Sequence, residues 1–128
     1  MPLEVGLRGE ARLVVTEADT ALALGSGKVP VLGTPRVVAL AEEATCAAVD
    51  AHLAEGTTTV GMRVQLDHLQ PTPVGGEVVA EAVLDKVEGR RLTFTVSVSD
   101  ARGLVAASKV TRVLVELDRF LDKIGEVG

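Results

Sequence analysis

Apolar and polar residues alternate most regularly between Thr58 and Leu69. Val60, Met62, Val64, Leu66 and His68 fall on one row, and Gly61, Arg63, Gln65, Asp67 and Leu69 on the other. A period of two predicts a β-strand whose apolar row faces the core. His68 is the last residue of that row, just before the break at Gln70-Pro71-Thr72-Pro73. The same period returns over 77–87 (Val78, Ala80, Ala82, Leu84), over Arg90–Ser99 (Leu92, Phe94, Val96, Val98) and over Leu104–Leu117. Gly75-Gly76, Glu88-Gly89 and Asp100-Ala101-Arg102-Gly103 separate these runs as turns. Residues 7–16 alternate less strictly and predict a first strand, followed by a short helical turn from Thr16 to Asp19 and a loop at Gly25–Lys28. Asp118–Leu121 begins a short C-terminal helix.

One long segment breaks the alternation. From Thr34 to about Glu55 good helix formers predominate, with Thr34 as the expected N-cap, Pro35 at the first helical position and Gly56 closing the segment. Val38, Ala41, Ala44, Thr45, Ala48, Val49 and His52 share one broad, alanine-rich side that a sheet can approach closely. The order is strand, helix, then four long strands joined mostly by short turns. It predicts an α+β fold, an antiparallel sheet with one helix on a face, over residues 1–128 as one domain. Strands this long and apolar need cover or a partner edge, which points to a dimer.

Composition narrows the function. With two Phe and no Trp or Tyr, the chain has no aromatic platform for bases, and a net charge of −5 gives no attraction to phosphate backbones, so nucleic acid is excluded as a partner. No run approaches the roughly 18 apolar residues of a membrane helix, and the N-terminus, with Glu4, Arg8, Glu10 and Arg12, does not read as a signal peptide. The single Cys46 forms no intrachain disulfide framework, fits a reduced, cytoplasmic setting and reads as a small buried filler in the helix. His52, His68 and Cys46 lack metal-ligand spacing, and no metal or cofactor is expected.

Candidate chemistry gathers around the helix start. Glu42 follows Thr34 by eight residues, roughly 80° round the helix and about 12 Å along it. A hydroxyl, a helix N-terminus and a carboxylate could therefore face one groove. Taken singly, Glu42 also reads as a solvated helix carboxylate, Thr34 as a cap, and His68 as a structural residue of an apolar row.

Three separated features together carry a resemblance. They are Gly33-Thr34 with Glu42 eight residues on, His68 followed by the Thr72-Pro73 turn, and Val87–Leu92 with Arg112 in the last strand. The chain resembles the hotdog-fold thioesterases, within them the fluoroacetyl-coenzyme-A thioesterase group, from about Thr34 to Leu117. The resemblance implies a five-stranded antiparallel sheet wrapped around one long central helix. It also implies a homodimer or dimer of dimers with active sites at the interface, and acyl-CoA as substrate. The group's catalytic Thr, Glu and His fall on Thr34, Glu42 and His68, with Gly33 and Arg112 as substrate-binding positions. The phenylalanines of the fluoroacetyl enzyme's lid have no counterpart in Gly25–Leu32, so fluoroacetate selectivity is not carried over.

For a thioester, backbone N–H groups from Thr34 to Arg36 would stabilise the developing oxyanion, with Pro35 contributing none. Glu42, in an apolar groove, would act as base or nucleophile, and His68 as its matching acid or base. Thr34 would orient substrate or water, or attack directly if His68 activates it. Acyl-enzyme and direct water attack both remain open. Arg36, Arg63, Arg90 and Arg91 could meet CoA phosphates. An enoyl-CoA hydratase of the same fold would need an Asn, and the chain has none. A non-catalytic acyl-CoA binding or sensing module is the alternative, and a structural dimerisation protein the third reading.

Overall fold

The computed structural model describes residues 3–125. Strand β1 (Arg8–Val14) leads through a 3₁₀ turn at Glu17–Asp19 and a short helix α1 (Ala21–Leu24) to the long helix α2 (Thr34–Val49). A 3₁₀ turn at Asp50–His52 extends α2, and four strands follow: β2 (Thr57–His68), β3 (Glu77–Glu88), β4 (Arg91–Asp100) and β5 (Gly103–Glu116). A last helix α3 covers Leu117–Asp122. The strands form one five-stranded antiparallel sheet in the order β1-β3-β4-β5-β2, so β2 is an edge. This is the α+β hotdog arrangement that the alternation and the resemblance led us to expect.

The apolar rows of β3 and β4 face α2 as their period requires. Val78, Ala80, Ala82, Leu84, Leu92, Phe94, Val96 and Val98 are all buried, against Val37, Leu40, Ala41, Ala44, Ala48 and Val49 of the helix. Small helix residues let the sheet come close, and Gly9 of β1 comes closest. A Cβ on Gly9 would lie 2.2 Å from the Ala48 nitrogen and 2.4 Å from the Ala44 carbonyl oxygen. Only a residue without a side chain fits there.

Four expectations are corrected. In β2 the alternation does not hold throughout: a β-bulge between Gly61 and Arg63 shifts the register against β5. Val64, Leu66 and His68 remain half-buried, but Met62 is 51% exposed, and before the bulge it is Thr59 that is buried. One extra residue turns the strand over, as a bulge does. The helix begins one residue earlier than expected: Gly33 is the N-cap, Thr34 the first helical residue, and no side chain caps the end. Regular helix stops at Val49 rather than near Glu55. Cys46 is only half-buried.

Gly33 takes the capping position because α1 packs on it; a Cβ there would lie 3.0 Å from the Ala21 nitrogen and 3.2 Å from Leu24 Cδ1. Among the described residues no helix is long and apolar enough to cross a membrane.

Gly9→Ala is expected to destabilise the fold by at least the ~1–3 kcal/mol of an overpacked core, because the clashing atoms are helix backbone. Urea unfolding of the variant measures it, and a loss near zero would mean that β1 can move off α2.

Candidate active site

Freed from capping, the Thr34 hydroxyl makes another contact: Oγ1 lies 2.8 Å from Nδ1 of His68. The first residue of α2 thus meets the last residue of β2. Backbone hydrogen bonds hold both segments. Gly33 N–H donates to the Asp19 carbonyl at 2.9 Å, and Leu32 N–H to the Thr72 carbonyl at 2.9 Å. On the strand side, the Leu69 and Gln70 N–H groups both donate to the Val105 carbonyl, at 2.7 and 3.2 Å.

The pair borders a cavity of about 280 Å³ lined by α1, the 26–33 segment and the turn after His68, including Ala21, Gly27, Val29, Gly33 and Leu69. Its lining carries no charged side chain and no aromatic ring other than His68. Burial, only partly opposed by the nearby Gln70 backbone, pushes the His68 imidazole below its ordinary value and favours the neutral ring. Its other nitrogen, Nε2, is buried without a partner among the described residues. In one tautomer Nδ1 accepts the Thr34 proton and Nε2 is a free donor; in the other Thr34 accepts and Nε2 is a free base.

The helix start offers fewer backbone donors than expected. Gly33 N–H and Arg36 N–H are already bonded, the latter to the Gly33 carbonyl at 3.0 Å, and Pro35 has none. Thr34 N–H remains.

Glu42 does not join the pair. Its Oε2 lies 3.0 Å from Nη1 of Arg112, with the carboxylate side chain 34% exposed. It therefore stands beside a cation, not in an apolar groove, and roughly 12 Å further along the helix than Thr34. Arg112, 7% exposed, directs its remaining donors inward: Nε to Thr59 Oγ1 at 2.8 Å and Nη2 to the Thr59 carbonyl at 3.0 Å. Gly61 makes room for the carboxylate, since a Cβ there would sit 2.5 Å from Glu42 Oε2. Thr59 and Gly61 were not among the expected site residues. A lone glycine within a strand is the one signal that pointed to a bulge or a close approach here.

The other expected cations scatter. Arg36 pairs with Asp19 and Glu43, each at 3.2 Å. Arg63 is exposed at the bulge. Arg90 lines a separate cleft of about 470 Å³ with Thr57, at the opposite end of β2 from His68. Among the described residues no group of three or more His, Cys, Asp and Glu gathers as metal ligands do.

Comparison with known proteins agrees with the fold. The sequence pattern of the fluoroacetyl-CoA-specific thioesterase family matches residues 15–118. A fluoroacetyl-CoA thioesterase of Streptantibioticus cattleyicolor is 32% identical over 94 residues, covering 73% of this chain and 68% of that protein. A solved fluoroacetyl-CoA thioesterase superposes with a TM-score of 0.92 at 28% identity, over 100% of this chain and 99% of the other. A hot-dog-like protein from Thermanaerovibrio acidaminovorans gives 0.88 at 25% identity, over 95% of this chain and 90% of the other.

Two expected outcomes follow from the site. Arg112→Met leaves the Thr59 carbonyl and hydroxyl buried without their donor, which should cost about 1–3 kcal/mol in urea unfolding. The second concerns pH. Because the folded-state pKa of His68 lies below the unfolded value of about 6.5, the unfolded chain binds the extra proton between the two. Stability should therefore be fully retained above about pH 6.5 and fall as pH drops from there towards the folded pKa. Urea midpoints against pH should show this slope in the wild type and a weaker one in His68→Gln.

Proposed function

The chain belongs to the fluoroacetyl-CoA-specific thioesterase family and is a thioester hydrolase by kind; from that premise we propose that it cleaves an acyl-CoA to a carboxylic acid and free CoA, using Thr34, His68 and Glu42 at a homodimer interface. The observation that carries this reading is the 2.8 Å Thr34–His68 contact at a helix N-terminus beside an uncharged cavity.

The roles follow from the chemistry. A neutral His68 is a competent base near neutral pH, and in its Nδ1-accepting tautomer it can draw the proton from the Thr34 hydroxyl. In the other tautomer it can draw a proton from water while Thr34 holds the ring in place. Either nucleophile adds to the thioester carbonyl, and the oxygen that becomes negative accepts from Thr34 N–H under the positive end of α2. Collapse breaks the C–S bond, and the protonated imidazole returns its proton to the leaving thiolate. If Thr34 is the nucleophile, water then hydrolyses its ester by the same route.

Glu42 stands too far along α2 to serve the pair of its own chain directly. Edge strand β2 supports a two-chain site: one side of it pairs with β5 and the other has no neighbour among the described residues. A second copy docked there, alone or as a dimer of dimers, would bring its Glu42 towards the first copy's Thr34–His68 pair. Arg112 then orients Glu42, and Gly33 borders the substrate. Residues 1–128 act as one thioesterase-like unit. A cytoplasmic setting suits the free thiol of Cys46. The distance between Glu42 and the pair is also what favours a second reading, an acyl-CoA binding module without turnover.

Thiol release from short, long and aromatic acyl-CoA esters, with Glu42→Gln, His68→Ala and Thr34→Val alongside, tests both readings. Turnover of one acyl class, reduced about 100-fold or more in His68→Ala while the dimer stays folded, is the expected result. Tight binding without turnover would favour the binding module. An ester trapped on wild-type Thr34, seen as a mass increase, would identify it as the nucleophile.

A further inference from the structure

The turn that carries the chain away from His68 is held by a buried carboxylate outside the site. Asp100, at the end of β4, is 8% exposed in its side chain. It accepts from the Thr72 hydroxyl at 3.0 Å, from the Arg102 backbone N–H at 2.8 Å and from Arg102 Nη2 at 3.2 Å. The same guanidinium nitrogen donates to the Pro71 carbonyl. Burial alone would raise the Asp100 carboxyl, but the Arg102 and Thr72 donors outweigh it and hold it below the usual carboxylate range.

Thr72 stands at the junction. It is 1% exposed. Its hydroxyl donates to Asp100, while its carbonyl accepts from Leu32 N–H, two residues before Thr34. The neighbouring Val31 and Pro73 pair as an isolated bridge. One residue therefore joins the segment that delivers Thr34 to the turn that leaves His68.

We propose that Asp100 and Thr72 are positioning residues of the thioesterase site, fixing the 69–73 turn so that the Thr34 hydroxyl and His68 Nδ1 meet at hydrogen-bond distance. The inference rests on the reading of Thr34 and His68 as the reacting pair. A plain turn needs no buried charge. Here the ionised carboxylate gathers donors from two turns, and charge-assisted bonds of this kind hold geometry more tightly than neutral ones. A small shift of the turn would separate Thr34 from His68 and admit water to the ring. No other titratable or charged side chain lines the cavity that His68 borders.

The test uses Thr72→Val, which keeps the shape and removes the hydroxyl, and Arg102→Ala, whose side chain is 62% exposed and whose loss leaves the core untouched. In each, kcat and KM for the best acyl-CoA are measured with the rate profile against pH. The His68 ring is titrated by NMR, its signal assigned with His52→Gln. In Thr72→Val, kcat should fall about 10- to 100-fold with KM little changed. The His68 titration and the acid limb of the rate profile should both move up towards the ordinary histidine value. Arg102→Ala should move all three the same way by less.

An unchanged His68 titration and kcat per folded molecule, with only a lower unfolding temperature, would overturn the proposal. If Thr72→Val does not fold, Arg102→Ala decides on the same readouts. Should His68→Ala prove as active as the wild type, it is the reading of the site that fails, and the His68 titration still decides whether the turn positions the ring.

Discussion

The close approach of α2 to the sheet is the constraint on which the rest depends. An alanine-rich helix face and the bare backbone of Gly9 let the sheet lie almost against the helix backbone. With so little space between layers, the helix has little freedom to slide or rotate, since close-packed interiors transmit rather than absorb displacement. Its first residue is therefore delivered to a definite place, the end of β2. A bulkier, looser core would bury as much apolar surface without that precision.

Two polar pairs sit on this frame, and they differ in kind. Thr34 and His68 are uncharged partners beside an open cavity, which in the proposed reaction lets their bond be exchanged for one to a substrate. Glu42 and Arg112 form an ion pair in which the arginine is almost wholly buried and bonded to Thr59 as well. Removing such charges from water is costly, and the cost is offset here because each of the three guanidinium nitrogens finds an acceptor. Its consequence is orientation: the carboxylate lies over Gly61, and the bulge at Met62 keeps Thr59 on the arginine's side.

Electrostatics divides the two regions further. The cavity beside His68 is free of charge, so burial acts on the imidazole without a countercharge and keeps it neutral. Two acidic groups that anchor the flanking segments are already engaged, Asp19 by Thr16 and Arg36, and Asp100 by Arg102 and Thr72. A histidine left neutral and half-satisfied in this way fits the proton transfer proposed for it.

Much of this was legible beforehand. The period-two rows of β3 and β4, the single helical interruption and the turn residues between strands led directly to the sheet, because side-chain alternation is a local property of extended backbone. The family resemblance identified Thr34, Glu42 and His68 as the candidate residues, and Thr34 and His68 do meet. What residue order could not reveal was which contacts those residues make. The bulge that turns Met62 outward, the preference of Thr34 for His68 over its own helix end, and the capture of Glu42 by Arg112 all depend on groups far apart in the chain. The same holds for Asp100 reaching Thr72 across two turns. By itself the sequence determined the elements and most of their faces, since these follow from local periodicity, and through its family resemblance it pointed to thioester chemistry. Only the tertiary structure decided the partners, because a hydroxyl or carboxylate bonds to whatever the packed sheet and helix bring within about 3 Å of it.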